Sequence, residues 1–219
     1  AGKFTTDGGS TVCISCPAGA QTTGEGATGE SACLCDVGYT ELGNNRCDPC
    51  PAGKFKASLG VQDCDTCSEA TYSAAGASTC TSCASNTFSP AGSTSISKCI
   101  CEVGYTGNGI VCTECPSGKY KSLRGSSSCI ACPAGKYQRF PASNVCENCP
   151  DHSHSPTTSS EAEACRCNQG YSGYDGSFCS PCQPGTYKSV AGSEPLTCTS
   201  CEEGKYSSTE ASLTCSSCP

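Results

Sequence analysis

Cysteine spacing constrains this chain more than any other feature of it. All 26 cysteines fall into thirteen close pairs. Ten are C-x-x-C: Cys13/Cys16, Cys47/Cys50, Cys64/Cys67, Cys80/Cys83, Cys112/Cys115, Cys129/Cys132, Cys146/Cys149, Cys179/Cys182, Cys198/Cys201 and Cys215/Cys218. Three are C-x-C, Cys33/Cys35, Cys99/Cys101 and Cys165/Cys167, and they recur at intervals of 66 residues. Self-similarity at a fixed period is the signature of a tandem array. The small unit is the loop between successive pairs, and the larger unit is four pairs in about 66 residues.

Composition explains the need for sulfur. Ile, Leu, Val and Phe together make up about a tenth of the chain, where a share below a fifth normally marks a sequence unable to build a core. Closing a loop of about 15 residues with a disulfide stabilises by roughly 3 kcal/mol. A dozen such closures replace the stability that apolar burial cannot supply. Disulfides at this density require an oxidising compartment, so the expected location is secreted or extracellular, at the cell surface. Residues 1–30 contain no signal peptide, and no run of about 20 apolar residues is present to span a bilayer.

The net charge is −7, and the thirteen basic residues are scattered. Nucleic-acid binding needs clustered Lys and Arg, so no nucleic-acid partner is expected.

Two motifs alternate along the array. The first is Cys99-Ile-Cys101-Glu-Val-Gly104-Tyr105 leading to Cys112, repeated at Cys35 to Cys47 with Gly38-Tyr39 and at Cys167 to Cys179 with Gly170-Tyr171. The second is Cys115-Pro116-Ser117-Gly118-Lys119-Tyr120 leading to Cys129, with relatives at Cys50 to Cys64, Cys182 to Cys198 and Cys201 to Cys215. In both, glycine supplies a turn closed to other residues, and the aromatic is the large side chain available to cover the loop. The first motif resembles the C-terminal half of an epidermal growth factor-like (EGF-like) module. The alternation of the two resembles the ephrin-receptor-like, or GCC2/GCC3, cysteine-rich repeats, with a looser likeness to tumour necrosis factor receptor modules. The resemblance implies a small disulfide-rich fold: an elongated tandem array of EGF-like/ephrin-receptor-like modules, with short β-hairpins and loops and almost no helix.

That resemblance also implies a pairing of cysteines, since growth-factor-like modules join first to third, second to fourth and fifth to sixth. On this scheme Cys13 joins Cys33, Cys35 joins Cys47, Cys50 joins Cys64, Cys67 joins Cys83, Cys80 joins Cys99 and Cys101 joins Cys112. Further along, Cys115 joins Cys129, Cys132 joins Cys149, Cys146 joins Cys165, Cys167 joins Cys179, Cys182 joins Cys198 and Cys201 joins Cys218. Cys16 and Cys215 are left over, each expected to find a partner outside this segment. The opening Ala1-Gly2-Lys3-Phe4 is the same tetrapeptide as Ala52-Gly53-Lys54-Phe55 after Cys50-Pro51, and the chain closes on Cys218-Pro219. Both ends are therefore expected to lie inside a continuing array.

Other chemistry finds less support in the residues. Paired C-x-x-C motifs also suit zinc, yet thirteen unbroken pairs with growth-factor-like hairpins favour disulfides, so no metal and no cofactor is expected. The residues before Cys64, Cys129 and Cys198 lack the acidic cluster of calcium-binding growth-factor-like modules. His152 and His154 read as parts of a solvated turn. With two histidines and thin modules there is little from which to build a nucleophile, a base and a closed pocket, so the chain is expected not to be an enzyme. No Asn-x-Ser/Thr sequon occurs. The Ser/Thr-rich stretches Thr22 to Ser31 and Ser153 to Ser160 read either as carriers of O-glycans or as exposed loops.

The expected organisation is a partial repeat over 1–34, repeat 1 over 35–100, repeat 2 over 101–166 and an incomplete repeat 3 over 167–219. The expected function is that of an extracellular structural protein: a disulfide-knotted rod serving as stalk, matrix or filament subunit, whose partners are other copies or other parts of the same assembly. The rival is a ligand-binding or adhesive ectodomain of a cell-surface receptor. Its mark would be one repeat departing from the others with exposed aromatics or a charge patch. Repeat 3 departs most, with Tyr174 inserted and Gln183-Pro184-Gly185-Thr186 replacing the usual Pro-x-Gly-Lys.

Overall fold

The computed structural model describes residues 2–41, 43 and 46–219. Two compact units are present, one comprising Ala1–Cys101 with Asn108–Cys112 and the other Glu102–Gly107 with Thr113–Pro219. Among the described residues both are built of two-stranded sheets, thirteen in all, each joining strands consecutive in sequence. No α-helix is present among these residues, and the helical turns are three short 3-10 segments at Glu30–Ala32, Ile96–Lys98 and Ala162–Ala164. The fold is small, disulfide-rich and nearly helix-free, as expected.

One local plan recurs. In the first unit Lys54–Phe55 pairs with Asp65–Thr66, and in the second Lys119–Tyr120 pairs with Ile130–Ala131. Each hairpin is opened by the turn that the Pro-x-Gly motif anticipates. The amide of Lys54 donates to Pro51 O at 3.0 Å and that of Lys119 to Pro116 O at 3.1 Å, around Gly53 (φ +85°) and Gly118 (φ +77°). A positive φ at the third residue of a four-residue turn is what glycine permits without steric cost. The C-x-C hairpins use the same turn, with Tyr39 N–H on Asp36 O at 3.0 Å and Tyr105 N–H on Glu102 O at 3.2 Å. The returning strand then consists of the two residues inside the next C-x-x-C.

That placement decides the disulfides. Successive residues on a strand face opposite ways, so cysteines three positions apart point to opposite sides of it. One cysteine of the pair faces back to the cysteine that opened its own hairpin, and the other faces forward. One rule results: the second cysteine of each pair joins the first cysteine of the next. In the C-x-C pairs, two positions apart, the 3-10 turn ends on Cys33, Cys99 or Cys165. This takes the first cysteine off the strand and preserves the rule.

Six bridges coincide with the growth-factor-like scheme: Cys35–Cys47, Cys50–Cys64, Cys101–Cys112, Cys115–Cys129, Cys167–Cys179 and Cys182–Cys198. The other six correct it. Cys16, not Cys13, joins Cys33. Cys67 joins Cys80 rather than Cys83, and Cys83 rather than Cys80 joins Cys99. Cys132 joins Cys146 rather than Cys149, and Cys149 joins Cys165. Cys201 joins Cys215 rather than Cys218. Cys16 and Cys215 are thus bonded within the chain, while Cys13 and Cys218 are exposed thiols. The crossed scheme fails because Cys80 and Cys146 stand at one end of the returning strands Thr81–Ser82 and Glu147–Asn148 and Cys83 and Cys149 at the other, so that each is carried to a different neighbour. Proteolysis without reductant is expected to release Cys67–Cys80 and Cys83–Cys99 as linked peptides; recovery of Cys67 with Cys83 refutes the rule.

The core is sulfur. Apart from Phe4, every buried residue of the apolar class among the described residues is a cysteine, and several, such as Cys50, Cys67, Cys101 and Cys132, are fully buried. The hairpin aromatics, such as Phe55, Tyr72, Tyr120 and Tyr137, are half-buried over their loops. They lie in cross-strand pairs with the first residue inside the following C-x-x-C: Phe55 opposite Asp65, Tyr120 opposite Ile130 and Tyr137 opposite Glu147. Tyr137 Oη donates to Glu147 Oε2 at 3.0 Å, and this hydrogen bond raises the phenol pKa.

Candidate interaction surface

Within each unit, hairpins followed by one opening on C-x-x-C are tied to it through two positions counted from the opening cysteine. At the third stands a residue with positive φ. It is usually glycine, but Ala70 (58°), Asn86 (60°) and His152 (61°) fill the place where the sequence has no glycine. Where the following hairpin opens on a C-x-x-C, this residue's amide donates to the main-chain carbonyl of that hairpin's sixth residue. In the first unit Gly38 reaches Lys56 O (2.8 Å), Gly53 reaches Ser73 O (3.0 Å) and Ala70 reaches Ser89 O (2.9 Å). In the second, Gly104 reaches Lys121 O (2.8 Å), Gly135 reaches Ser155 O (2.9 Å) and Gly170 reaches Lys188 O (2.8 Å). A return bond runs from the later loop to the earlier cysteine, as in Gly76 N–H to Cys50 O at 2.8 Å and Ala142 N–H to Cys115 O at 2.9 Å.

The side chain at the sixth position is polar and buried: Thr22, Lys56, Ser73, Ser89, Lys121, Gln138, Ser155, Lys188 and Ser207. A buried hydroxyl without a partner is costly, and here each serine has one. Ser73 Oγ donates to Lys54 O at 2.9 Å, Ser89 Oγ to Thr71 O at 3.1 Å, Ser155 Oγ to Lys136 O at 2.8 Å and Ser207 Oγ to Thr186 O at 3.0 Å. The acceptor is always the fourth residue of the preceding hairpin. Ser155→Ala is expected to cost about 1 kcal/mol in chemical denaturation, whereas the exposed Ser208 tolerates alanine unchanged.

The sequence motifs did not single out this polar column. Aligning the loops on their opening cysteines displays it, since the sixth residue is then Lys, Ser, Thr or Gln in hairpin after hairpin. Three members are lysines in the hairpins that come directly after the C-x-C hairpins. Burial pushes the ammonium pKa of Lys56, Lys121 and Lys188 down; Asp36 opposes this at Lys56, and Asp175 and Glu194 oppose it at Lys188.

Surface features that a partner could read gather in the second unit. Two open clefts, of about 480 and 360 Å³, border His154 and Ala191; Asn168, Gln169 and Leu213 line the first, while Arg166, Pro156 and Ser159 line the second. His154 stands opposite Arg166 across a strand pair, with Nδ1 3.1 Å from Asn168 Oδ1. His152 stacks on Tyr171 with ring centroids 4.2 Å apart. These histidines belong to a hairpin rather than to a solvated turn alone, although both remain exposed. In the next hairpin Tyr174 and Phe178 are 69% and 70% exposed. Among the described residues no group of His, Cys, Asp and Glu is arranged to hold a metal ion, and no helix is long and apolar enough to cross a membrane.

Two segments, 38–74 and 104–149, match the family model described as tyrosine-protein kinase ephrin type A/B receptor-like. The first covers hairpins in the first unit, opening on the Gly38-Tyr39 turn, and the second opens on the corresponding Gly104-Tyr105 turn. No curated protein matches the chain. Tandem disulfides and two segments similar to this family are consistent with an extracellular location.

Proposed function

We propose that this array of ephrin receptor-like repeats is a secreted or cell-surface structural protein, without catalytic activity, serving as a stalk, matrix or filament subunit. Its partners are other copies or other parts of the same extracellular assembly. The observation that carries this reading is the tie that recurs wherever a hairpin is followed by one opening on C-x-x-C, in which amide, carbonyl and polar side chain stand at the same three positions. A unit that binds its neighbour through main-chain groups depends little on the identity of exposed side chains and propagates in one dimension. A head-to-tail interface that does not close extends into a filament. Electron microscopy of the native material is expected to show a periodic, repeat-spaced assembly; isolated particles without lateral or end contacts defeat the proposal.

A second reading, a ligand-binding or adhesive ectodomain, is favoured by one local observation. The exposed Tyr174 and Phe178 share the second unit with the clefts around His154, and aromatic side chains are common anchors of binding surfaces. Replacing both aromatics by serine separates the two readings: loss of cell-surface capture with the assembly intact supports the ectodomain, and unchanged capture removes it.

A further inference from the structure

Three lysines are buried in a protein whose other described charged side chains are exposed or half-buried. Lys56 is 2% exposed, and Lys121 and Lys188 are each 1% exposed. An ammonium group placed there needs acceptors for three N–H donors, and main-chain oxygens supply them. Lys56 Nζ donates to Tyr39 O at 2.7 Å, to Cys35 O at 3.3 Å and to Gly60 O. Lys121 Nζ donates to Tyr105 O at 2.6 Å and to Gly125 O. Lys188 Nζ donates to Gly192 O. The residue four places beyond the lysine in its own loop accepts at all three, and at Lys56 and Lys121 the tyrosine after the turn glycine of the C-x-C hairpin accepts as well.

The carbonyls, rather than a counter-charge, define the place. Carboxylates contribute at Lys56 and Lys188, whereas at Lys121 burial alone sets the direction of the pKa. The C-x-C hairpins also differ in size, with cysteines 12, 11 and 12 residues apart, against 13 to 17 in the other bridged loops. After four of the longer hairpins a serine hydroxyl meets one carbonyl, and after Cys115–Cys129 Gln138 takes the place. After the short ones the side chain is a lysine, which at Lys56 and Lys121 reaches carbonyls of two hairpins at once.

We infer that the junction behind each C-x-C hairpin is a binding site for a primary alkylammonium ion, lined by main-chain carbonyls and filled by the lysine of the next hairpin as its resident ligand. Recognition needs a compact head with three N–H donors on an unbranched apolar stem, which excludes quaternary ammonium ions and disfavours the planar guanidinium. Truncating the lysine to alanine leaves carbonyls without donors beside a channel shaped like an alkyl chain. A free primary alkylamine of similar length fits that space.

The test uses the whole chain with its disulfides formed. Lys121→Ala is expected to melt below the parent protein. Propylammonium then restores most of the lost midpoint in a saturable manner, while tetramethylammonium at the same ionic strength does not and the parent protein responds to neither. An equal response to both ions, or none from a folded variant, overturns the inference. If Lys121→Ala does not fold, acylation of the native protein decides. Lys54 and Lys56 lie two residues apart, the first exposed and the second buried, and Lys56 is expected to react about tenfold or more slowly, through local opening only. Equal rates at the two lysines overturn it.

Discussion

Reduction of the disulfides unfolds this protein outright under conditions that leave the oxidised form intact. Each of the twelve bridges closes a loop of 11 to 17 residues, worth about 3 kcal/mol through restriction of the unfolded chain. Domains as a class are stable by only about 5–15 kcal/mol, so the loss of a few closures is enough. Little else stands in reserve, because among the described residues the buried apolar ones are cysteines and one phenylalanine, Phe4. The inter-hairpin hydrogen bonds do not compensate, since in an opened chain water serves the same groups. Amide dispersion in NMR spectra is expected to collapse on adding dithiothreitol at neutral pH and to return only with reoxidation. Persistence of the native spectrum after all cysteines are alkylated shows instead that main-chain ties carry the fold. A single lost bridge acts locally. Replacing Cys132 and Cys146 together by serine is expected to cost about 2–5 kcal/mol, with the effect centred on that hairpin.

The other large effect comes from two glycines that the sequence does not distinguish. Gly104 and Gly135 both stand third after an opening cysteine, each with φ +79°. A Cβ on Gly104 lies 2.0 Å from the carbonyl oxygen of Ala142, whereas one on Gly135 meets nothing within 4 Å. Alanine at either site bears the left-handed penalty of about 1–2 kcal/mol. At Gly104 it must also displace main chain whose amide is bonded to Cys115 O. That adds an overpacking cost of about 1–3 kcal/mol. Gly104→Ala is therefore expected to be clearly the more damaging in urea denaturation. Equal losses show that the tie between hairpins yields to accommodate a methyl group. Gly38 and Gly53, whose Cβ positions lie 2.2 Å from the carbonyls of Gly76 and Gly92, behave as Gly104 does.

Much of this architecture is legible in the residues because the signals are local. Pro51-Ala52-Gly53-Lys54 specifies a turn through proline's fixed angle and glycine's positive one, and the turn starts a hairpin wherever the motif stands. The loops opened by Cys67, Cys83 and Cys149 are less legible, because Ala70, Asn86 and His152 replace the glycine. The same backbone forms there nonetheless. At Ala70 the tie to the following hairpin, from its amide to Ser89 O at 2.9 Å, holds the residue in a conformation that its side chain disfavours. The buried lysines are opaque for a related reason. A lysine in a polar loop reads as solvated, and only the carbonyls of a neighbouring hairpin make its burial tolerable.

The sequence by itself determined that the chain is a tandem array, that sulfur replaces an apolar core, and where each turn begins; all three come from spacing and composition. The tertiary structure alone decided which sulfurs meet. Cys80 and Cys83 flank the strand Thr81–Ser82 and are carried to different neighbours, Cys80 to Cys67 and Cys83 to Cys99. It also decided how hairpins join, because the donors and acceptors of each junction lie about 20 residues apart, as in Gly53 with Ser73, and are brought together only when both hairpins have formed.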